Sequence, residues 1–455
     1  MVGHYIYHMT YSDILRFNPW WENPQEIEND REILEFNREK IKCFPDFNLE
    51  KGISVIRGPR QVGKTTLVKL KIKKLLDAKV DPRNIFFYSF ELMREPKEVH
   101  DIVLEYLETV AGESPRYLFL DETTTIIDWS RAIKLLVDRG DIKRNDYVLV
   151  TGSSSIDLKK GTERLPGRGI EGHEFFYLPC SFRTYLNLKG IEISSSDVLD
   201  ATGLYENARK NKAKLLKLNC ELAKYMHTGG FLYSINHGKN ELTLEKYARW
   251  LEGDFIKWGK NPLIVKEILQ SIILKKCSQF SYHSIAKETS VSSHNTILEY
   301  LDMLDEELFL RTANKVSLSP FKVERKKEKK AFFLDPLLIS VAERWADQEL
   351  PYSCKVEQVV MSHLSRLSNA YFYNDGKKEI DCVEKIKNNV LGVEVKWSDN
   401  ISSSDTYAVK KTDVPYLLSK ETLKMQNGVP VIPVSLFLAT IEAKELLLRQ
   451  VLELK

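Results

Sequence analysis

Nine residues, Gly58-Pro59-Arg60-Gln61-Val62-Gly63-Lys64-Thr65-Thr66, fit the spacing GxxxxGK(S/T) in full. The chemistry served by such a loop is the grip of a polyphosphate. Glycines let backbone N–H groups turn inward around a β-phosphate, and the N-terminus of the next helix adds its dipole. Lys64 would bridge the β- and γ-phosphates, and Thr65 would offer its hydroxyl to Mg2+. The whole run from Gly58 to Thr66 is therefore the expected nucleotide-binding set. A chance glycine-rich turn is the competing reading. The flanks oppose it, because an apolar run, Ile53 to Arg57, precedes the loop and a helical pattern from Gly63 to Leu76 follows.

A second constellation lies 57 positions after Lys64, where Tyr117-Leu118-Phe119-Leu120 is followed by Asp121-Glu122. Four apolar residues and then two carboxylates describe a buried strand that ends at a cation. Asp121 would hold the Mg2+ shell and Glu122 would polarise an attacking water. A third apolar strand, Tyr147 to Val150, ends in Thr151-Gly152-Ser153-Ser154-Ser155. Hydroxyls there, Ser153 above all, would orient that water; a plain polar turn is the alternative. Glu163-Arg164-Leu165-Pro166-Gly167-Arg168-Gly169 then offers an arginine on a glycine-proline loop. Arg168, with Arg164 second, would reach phosphates in its own or a neighbouring subunit, or stand as a surface arginine.

Two sites are expected in the C-terminal half. Residues 282–289 and 293–307 read as a helix, a Ser290-Val291-Ser292 turn and a second helix with an apolar face of Ile297, Leu298, Leu301, Leu304 and Leu308. That helix-turn-helix would present His294, Asn295 and Thr296 outward. Asp302, Asp305, Glu306 and Glu307 would repel a DNA backbone, whereas Lys326, Lys327, Lys329 and Lys330 would grip phosphates or form a solvated loop. Further on, Glu379–Val383 and Val390–Trp397 read as strands of a hairpin. An even-length loop such as Asn388-Asn389 puts Asp381, Glu394 and Lys396 on one face. Asp381 and Glu394 would share a divalent cation, Lys396 would steady developing charge, and Glu357 would complete the site. The spacing resembles the PD-(D/E)xK nuclease pattern; a nuclease fold used only for binding is the alternative.

The elements that must position these groups follow from periodicity. From Gly52 to Phe182 strands and helices alternate, the mark of a parallel sheet. Residues 185–258 and 262–310 are helical, and 355–455 return to mixed strands and helices. Asn18-Pro19-Trp20-Trp21 reads either as a wall for a base or as an anchor of the first 50 residues onto the next domain.

With 455 residues, 43% hydrophobic and 29% charged, the chain has an ordinary globular balance, and about three domains are expected. Its 67 basic against 64 acidic residues exclude a histone-like polycation. The best membrane candidate, Val429 to Ile441, is broken by Pro430, Pro433 and Ser435, so no membrane partner is expected. Six scattered cysteines without a CxxC pair, and a start without a signal pattern, suit the cytosol. His4 and His8 have a metal-like spacing but no second ligand pair.

GPRQVGKTT, YLFLDE, VLVTGSSS, and LPGR followed by LPCSF resemble the AAA-like archaeal ATPase family of P-loop proteins, as do NPWW and Tyr225–Phe231 (YMHTGGF). The resemblance implies an α/β P-loop ATPase domain with a helical lid, a winged helix-turn-helix and a C-terminal α/β restriction-endonuclease-like domain. The corresponding spans are an extension at 1–50, the ATPase domain at 51–184, the lid at 185–260, the winged helix at 261–335 and the nuclease-like domain at 336–455. ATP and Mg2+ are the expected cofactors, and Lys64, Glu122 and Arg168 the expected catalytic groups. DNA and a second copy of the chain are the expected partners. Slow switching through protein contacts, or an ATP-gated nuclease, are the alternatives. Pro336 after Asp335 departs from the family, where a small polar residue and glycine are expected.

Overall fold

The computed structural model describes residues 11–152, apart from 46, 124 and 125, and residues 173–448. It divides into two compact units, Met1–Leu178 and Pro179–Lys455.

In the first unit, helices α1 (Tyr11–Phe17) and α2 (Arg31–Arg38) precede an α/β core. The core runs β1 (Gly52–Arg57), α3 (Lys64–Asp77), β2 (Ile85–Ser89), α4 (Pro96–Thr109), β3 (Tyr117–Asp121), α5 (Trp129–Arg139), β4 (Tyr147–Gly152) and β5 (His173–Tyr177). These strands are parallel, in the order β5-β1-β4-β3-β2. Every residue of β1 is buried, which explains its unbroken apolar sequence.

The tryptophans of the N-terminal extension are anchors. Trp20 and Trp21 both donate their indole N–H to the Ile85 carbonyl, at 3.0 and 2.9 Å. Beside them the Asn18 side chain donates to the Phe87 carbonyl (2.9 Å) and accepts from the Phe87 N–H (2.6 Å). An amide side chain thus stands in for a neighbouring strand at the edge strand β2, which would otherwise present unpaired peptide groups. Asn18→Ala should lower stability by about 2–3 kcal/mol, since it orphans both peptide groups in a buried place. Denaturant unfolding checks this, and an unchanged midpoint would mean that Asn18 does not close the edge.

The extension also grips α3. Lys69 pairs with Asp30 at 3.0 Å, Lys73 pairs with Glu28, and the Thr66 hydroxyl donates to Glu32 at 2.7 Å. Positions 66, 69 and 73 share one helix face. Burial pulls the Lys69 pKa down, while Asp30 opposes it. The ammonium lies over the rings of Phe87 and Trp20, 3.5 and 5.1 Å from their centroids.

The second unit begins with a helical region: α6 (Phe182–Leu188), α7 (Ala201–Lys210), α8 (Leu215–Thr228), α9 (Leu232–His237), α10 (Glu241–Lys257) and α11 (Pro262–Leu274). Next come α12 (Tyr282–Glu288), α13 (His294–Glu306), β6 (Leu310–Leu318), β7 (Phe321–Val323) and β8 (Lys329–Phe333). The remainder is α14 (Pro336–Ala346), α15 (Tyr352–Leu364), β9 (Tyr371–Asn374), β10 (Glu379–Ile386), β11 (Asn389–Val395), β12 (Val414–Ser419), β13 (Lys424–Gln426), β14 (Val429–Pro433) and α16 (Val434–Thr440). Strands β6 to β14 form one mixed sheet in the order β13-β14-β12-β11-β10-β9-β6-β7, with β8 on β6. The parallel pairing of β6 with β9, Asn314 opposite Tyr371, carries the sheet across residue 335 without a break.

The two glycines of the YMHTGGF motif sit where backbones crowd. Gly229 has φ +69°, and a Cβ there would meet Asp335 Oδ1 at 2.0 Å. A Cβ on Gly230 would meet the Cys180 carbonyl oxygen at 2.0 Å. Asp335 accepts from the N–H of Gly230 and of Leu337, both at 2.8 Å, and so caps α14. Pro336 therefore occupies the first helical position, where the absence of an N–H costs nothing. The departure from the family pattern at this turn is compatible with the fold.

Candidate functional sites

The phosphate loop joins the centre of the first sheet to α3. Gly63 precedes that helix with φ +99°, and a Cβ there would come within 2.9 Å of the Phe44 ring. A Cβ on Gly58 would stand 2.5 Å from the Tyr177 carbonyl oxygen. Both positions thus require glycine. Gln61 also has a positive φ, 60°, and the Val62 N–H points back to the Pro59 carbonyl at 3.4 Å. Lys64 is buried and donates from Nζ to the carbonyls of Gly58 (3.0 Å) and Pro59 (3.3 Å). Arg60, half-buried, lies on the same loop.

Asp121 ends β3 and meets this loop. It accepts from the Thr65 hydroxyl at 2.8 Å and from the Thr151 hydroxyl. Burial pushes its pKa up to about 6, and the neighbouring Glu122 adds to that, against the two hydroxyls and Lys64. A buried carboxylate so penalised is one that a cation would relieve. Glu122 follows with φ +51°, and its N–H donates to Thr151 Oγ1 at 3.2 Å. Thr151 therefore ties both carboxylate positions to β4; its place at the end of an apolar strand was the signal. The Thr66 side chain is turned to Glu32, so it is the Thr65 hydroxyl that reaches Asp121. Ser153, Arg164 and Arg168 lie outside the described residues.

These groups suit ATP and Mg2+. The loop is built around two glycines that admit no Cβ, the buried lysine donates to two of its carbonyls, and Thr65 with Asp121 is a hard-oxygen donor pair of the kind that Mg2+ takes.

In the second unit, α12 and α13 are separated by residues 289–293, and His294 and Asn295 are exposed, with Thr296 partly so. The buried face of α13 is Ile297, Tyr300, Leu301, Met303 and Leu304; Leu298 is only half-buried. Its acidic end is less repulsive than its sequence suggests: Asp305 pairs with Arg311 at 3.3 Å, and Glu307 is buried. The basic segment needs correction. Lys326 and Lys327 are exposed, but Lys329 and Lys330 belong to β8, whose residues are all buried. The Lys329 ammonium donates to the Lys327 carbonyl at 3.1 Å and turns in toward the chain.

Lys330 enters the carboxylate cluster instead. Its Nζ lies 2.6 Å from Glu379, 2.9 Å from Glu357 and 3.0 Å from Asp381. Burial works against this charge, yet Asp381, Glu357 and Glu379 hold the ammonium well above its ordinary pKa. Glu357 is pushed up to about 8, first by burial and then by Asp381. Burial likewise raises Glu394, with Asp381 adding to it. Asp381 also accepts from the Val395 N–H at 2.9 Å. The hairpin turns at residues 387–388, one position earlier than Asn388-Asn389, with Lys387 at φ +55°. Cys382 then pairs with Val393, which brings Asp381 and Glu394 across from each other. Lys396 is not part of this group. It lies past the end of β11, and its ammonium pairs with Asp405 at 2.5 Å. Sequence reasoning missed Lys330 and Glu379; a lysine pair opening the apolar run KKAFF was the available sign.

Residues 50–186 match the model of the AAA domain, AAA_14. Residues 220–349 and 355–437 match two domains of unknown function, DUF8612 and DUF4143. None of the curated proteins matches the chain. Among solved structures, a Walker-type ATPase of Pyrococcus abyssi is similar at 11% identity and TM-score 0.39, over 73% of this chain and 97% of that one. The ORC1 protein of Aeropyrum pernix, solved in complex with DNA, has 12% identity and TM-score 0.26, over 71% and 96%. RuvB of Thermotoga maritima has 15% identity and TM-score 0.25, over 75% and 96%. Scores this low do not establish a shared fold over the whole chain. The chain carries an AAA domain over residues 50–186, followed by two domains of unknown function.

Proposed function

We propose that the chain is a Mg2+-dependent ATPase whose hydrolysis acts on, or answers to, DNA bound by its C-terminal half. The observation that carries the first part is the meeting of Lys64, Thr65 and Asp121 at the Gly58–Gly63 loop, with Glu122 next in the chain and tied through its N–H to Thr151. Lys64 would leave the loop carbonyls for the β- and γ-phosphates, exchanging two neutral partners for charged ones. Thr65 and Asp121 would hold Mg2+, which when bound neutralises charge developing on the phosphates. Glu122, beside Asp121 but on a strained backbone, would hold and deprotonate the attacking water. Ser153 would help to orient that water, and Arg168 would reach the γ-phosphate in cis or from a neighbouring copy. Wild-type turnover per chain that rises with protein concentration, and a rise lost in Arg168→Ala, would select the neighbouring copy; turnover independent of concentration but lowered in Arg168→Ala would select the cis case.

For DNA, the support is the exposed start of α13 together with the exposed Lys326 and Lys327 between β7 and β8. In this reading α11 to α13 and β6 to β8 act as a winged helix, with His294, Asn295 and Thr296 toward the groove. Replacing Lys326 and Lys327 with glutamine should weaken duplex binding and lower the slope of log K against log salt by about 1.8, or about 0.9 for each phosphate no longer neutralised. Fluorescence anisotropy over a salt series reads it, and an unchanged slope would make the turn a solvated loop. The inward turn of Lys329 and Lys330 favours a second reading, a slow switch that signals through protein contacts. Turnover unaffected by DNA, with a partner bound only in one nucleotide state, would select it.

A further inference from the structure

A nuclease of the PD-(D/E)xK kind would need a divalent cation between Asp381 and Glu394, and the residues present do not fit one. An ammonium has three N–H donors. Those of Lys330 have three carboxylates within reach, Glu379, Glu357 and Asp381, at 2.6 to 3.0 Å. The lysine is 3% exposed, so the charge is enclosed and not a passing surface contact. The cluster is also fixed from other sides: Asp381 takes the Val395 N–H on its second oxygen, and Lys396, outside the cluster, is held away by Asp405. Glu394 has an enclosed Oε2 without a hydrogen-bond partner. It is the carboxylate of the cluster that the ammonium does not serve.

We propose that Lys330 is the resident cation of this cluster. It stands where the carboxylates would otherwise share a metal, so the site is closed to divalent cations while Lys330 is in place. The C-terminal sheet then holds its acidic residues together with a charge that the chain itself supplies. β8 brings this lysine from the segment that the winged-helix reading assigns to the wing, so one strand serves both halves of the unit. Removal of the ammonium should leave a metal site behind. Four carboxylates around a vacated centre are a hard-oxygen set of the sort that Mn2+ takes.

The test is Mn2+ binding to the nucleotide-free full chain, counted by electron paramagnetic resonance. Wild type and Asp381→Asn should bind equal numbers of Mn2+. Lys330→Met should bind one more per chain, and Lys330→Met with Asp381→Asn should lose it again. The same addition should raise the melting temperature of Lys330→Met by more than that of wild type. Lys330→Gln, which keeps a donor in place, is the second variant should methionine prevent folding. A wild-type Mn2+ that disappears in Asp381→Asn would overturn the proposal without any lysine variant. So would a folded Lys330→Met that gains no site, or Mg2+-dependent cleavage of DNA or RNA that Asp381→Ala abolishes.

Discussion

Glu122→Gln should bind ATP about as well as wild type and hydrolyse it about 10²–10⁴-fold more slowly, the usual share of a positioned general base. Glutamine keeps the size and the backbone N–H bond to Thr151, but it cannot accept a proton. A loss in kcat without a matching loss in nucleotide affinity is therefore the expected signature. Single-turnover phosphate release and a nucleotide titration separate the two. Turnover equal to wild type would remove Glu122 from the chemistry and leave it as a positioning group for β3. Equal losses in both measurements would place its role in binding.

Gly230→Ala should be among the most destabilising single substitutions in the second unit. The new methyl would lie 2.0 Å from the Cys180 carbonyl oxygen, 2.8 Å from its nitrogen and 2.9 Å from its carbonyl carbon. All three are backbone atoms, so relief requires a shift of the Pro179–Phe182 segment. That segment is held on every side: Cys180 N–H donates to the Gly230 carbonyl, Tyr225 donates to the Cys180 carbonyl, and Arg366 donates to the Pro179 carbonyl. The Phe182 N–H donates to His363 Nε2 at 2.9 Å, and burial lowers the His363 pKa to about 3, which keeps the ring neutral and able to accept. Overpacking into a framework so tied should cost about 3 kcal/mol or more. Gly253→Ala is the control, because a Cβ there meets nothing within 4 Å and the site is helical. Denaturant unfolding should show a lower midpoint for the first substitution and none for the control. Equal midpoints would mean that the segment yields freely.

The nucleotide loop was legible because its chemistry dictates local sequence. Glycines at 58 and 63, a lysine and a threonine must follow one another, and the apolar strands on either side announce a doubly covered sheet. The extension was half legible: Trp20 and Trp21 read either as a wall for a base or as anchors, and their bonds to Ile85 make them anchors, but the pairing of Glu28, Asp30 and Glu32 with α3 depends on a helix face that becomes apparent only when the chain folds back. The cluster in the C-terminal sheet was legible within one hairpin and not beyond it. Asp381 and Glu394 share a face because a two-residue turn joins their strands, and parity survives a shift of the turn by one position. Lys330 comes from β8, 51 residues before Asp381, through a sheet in which β6 links β8 to β9. No periodicity in KKAFF distinguishes a lysine that faces solvent from one that faces carboxylates. Lys396, two residues after Glu394, is drawn away because the strand ends before it.

Steady-state phosphate release from ATP by the purified full chain, with and without Mg2+ and with and without duplex DNA, reads the proposed activity itself. Turnover should require Mg2+, rise when DNA is added, and fall in Lys64→Ala at sub-saturating ATP by about 10–100-fold, because removing a charge-assisted hydrogen bond of about 1.5–3 kcal/mol weakens ATP binding. No Mg2+-dependent turnover above background, or turnover that Lys64→Ala leaves intact, would contradict that activity.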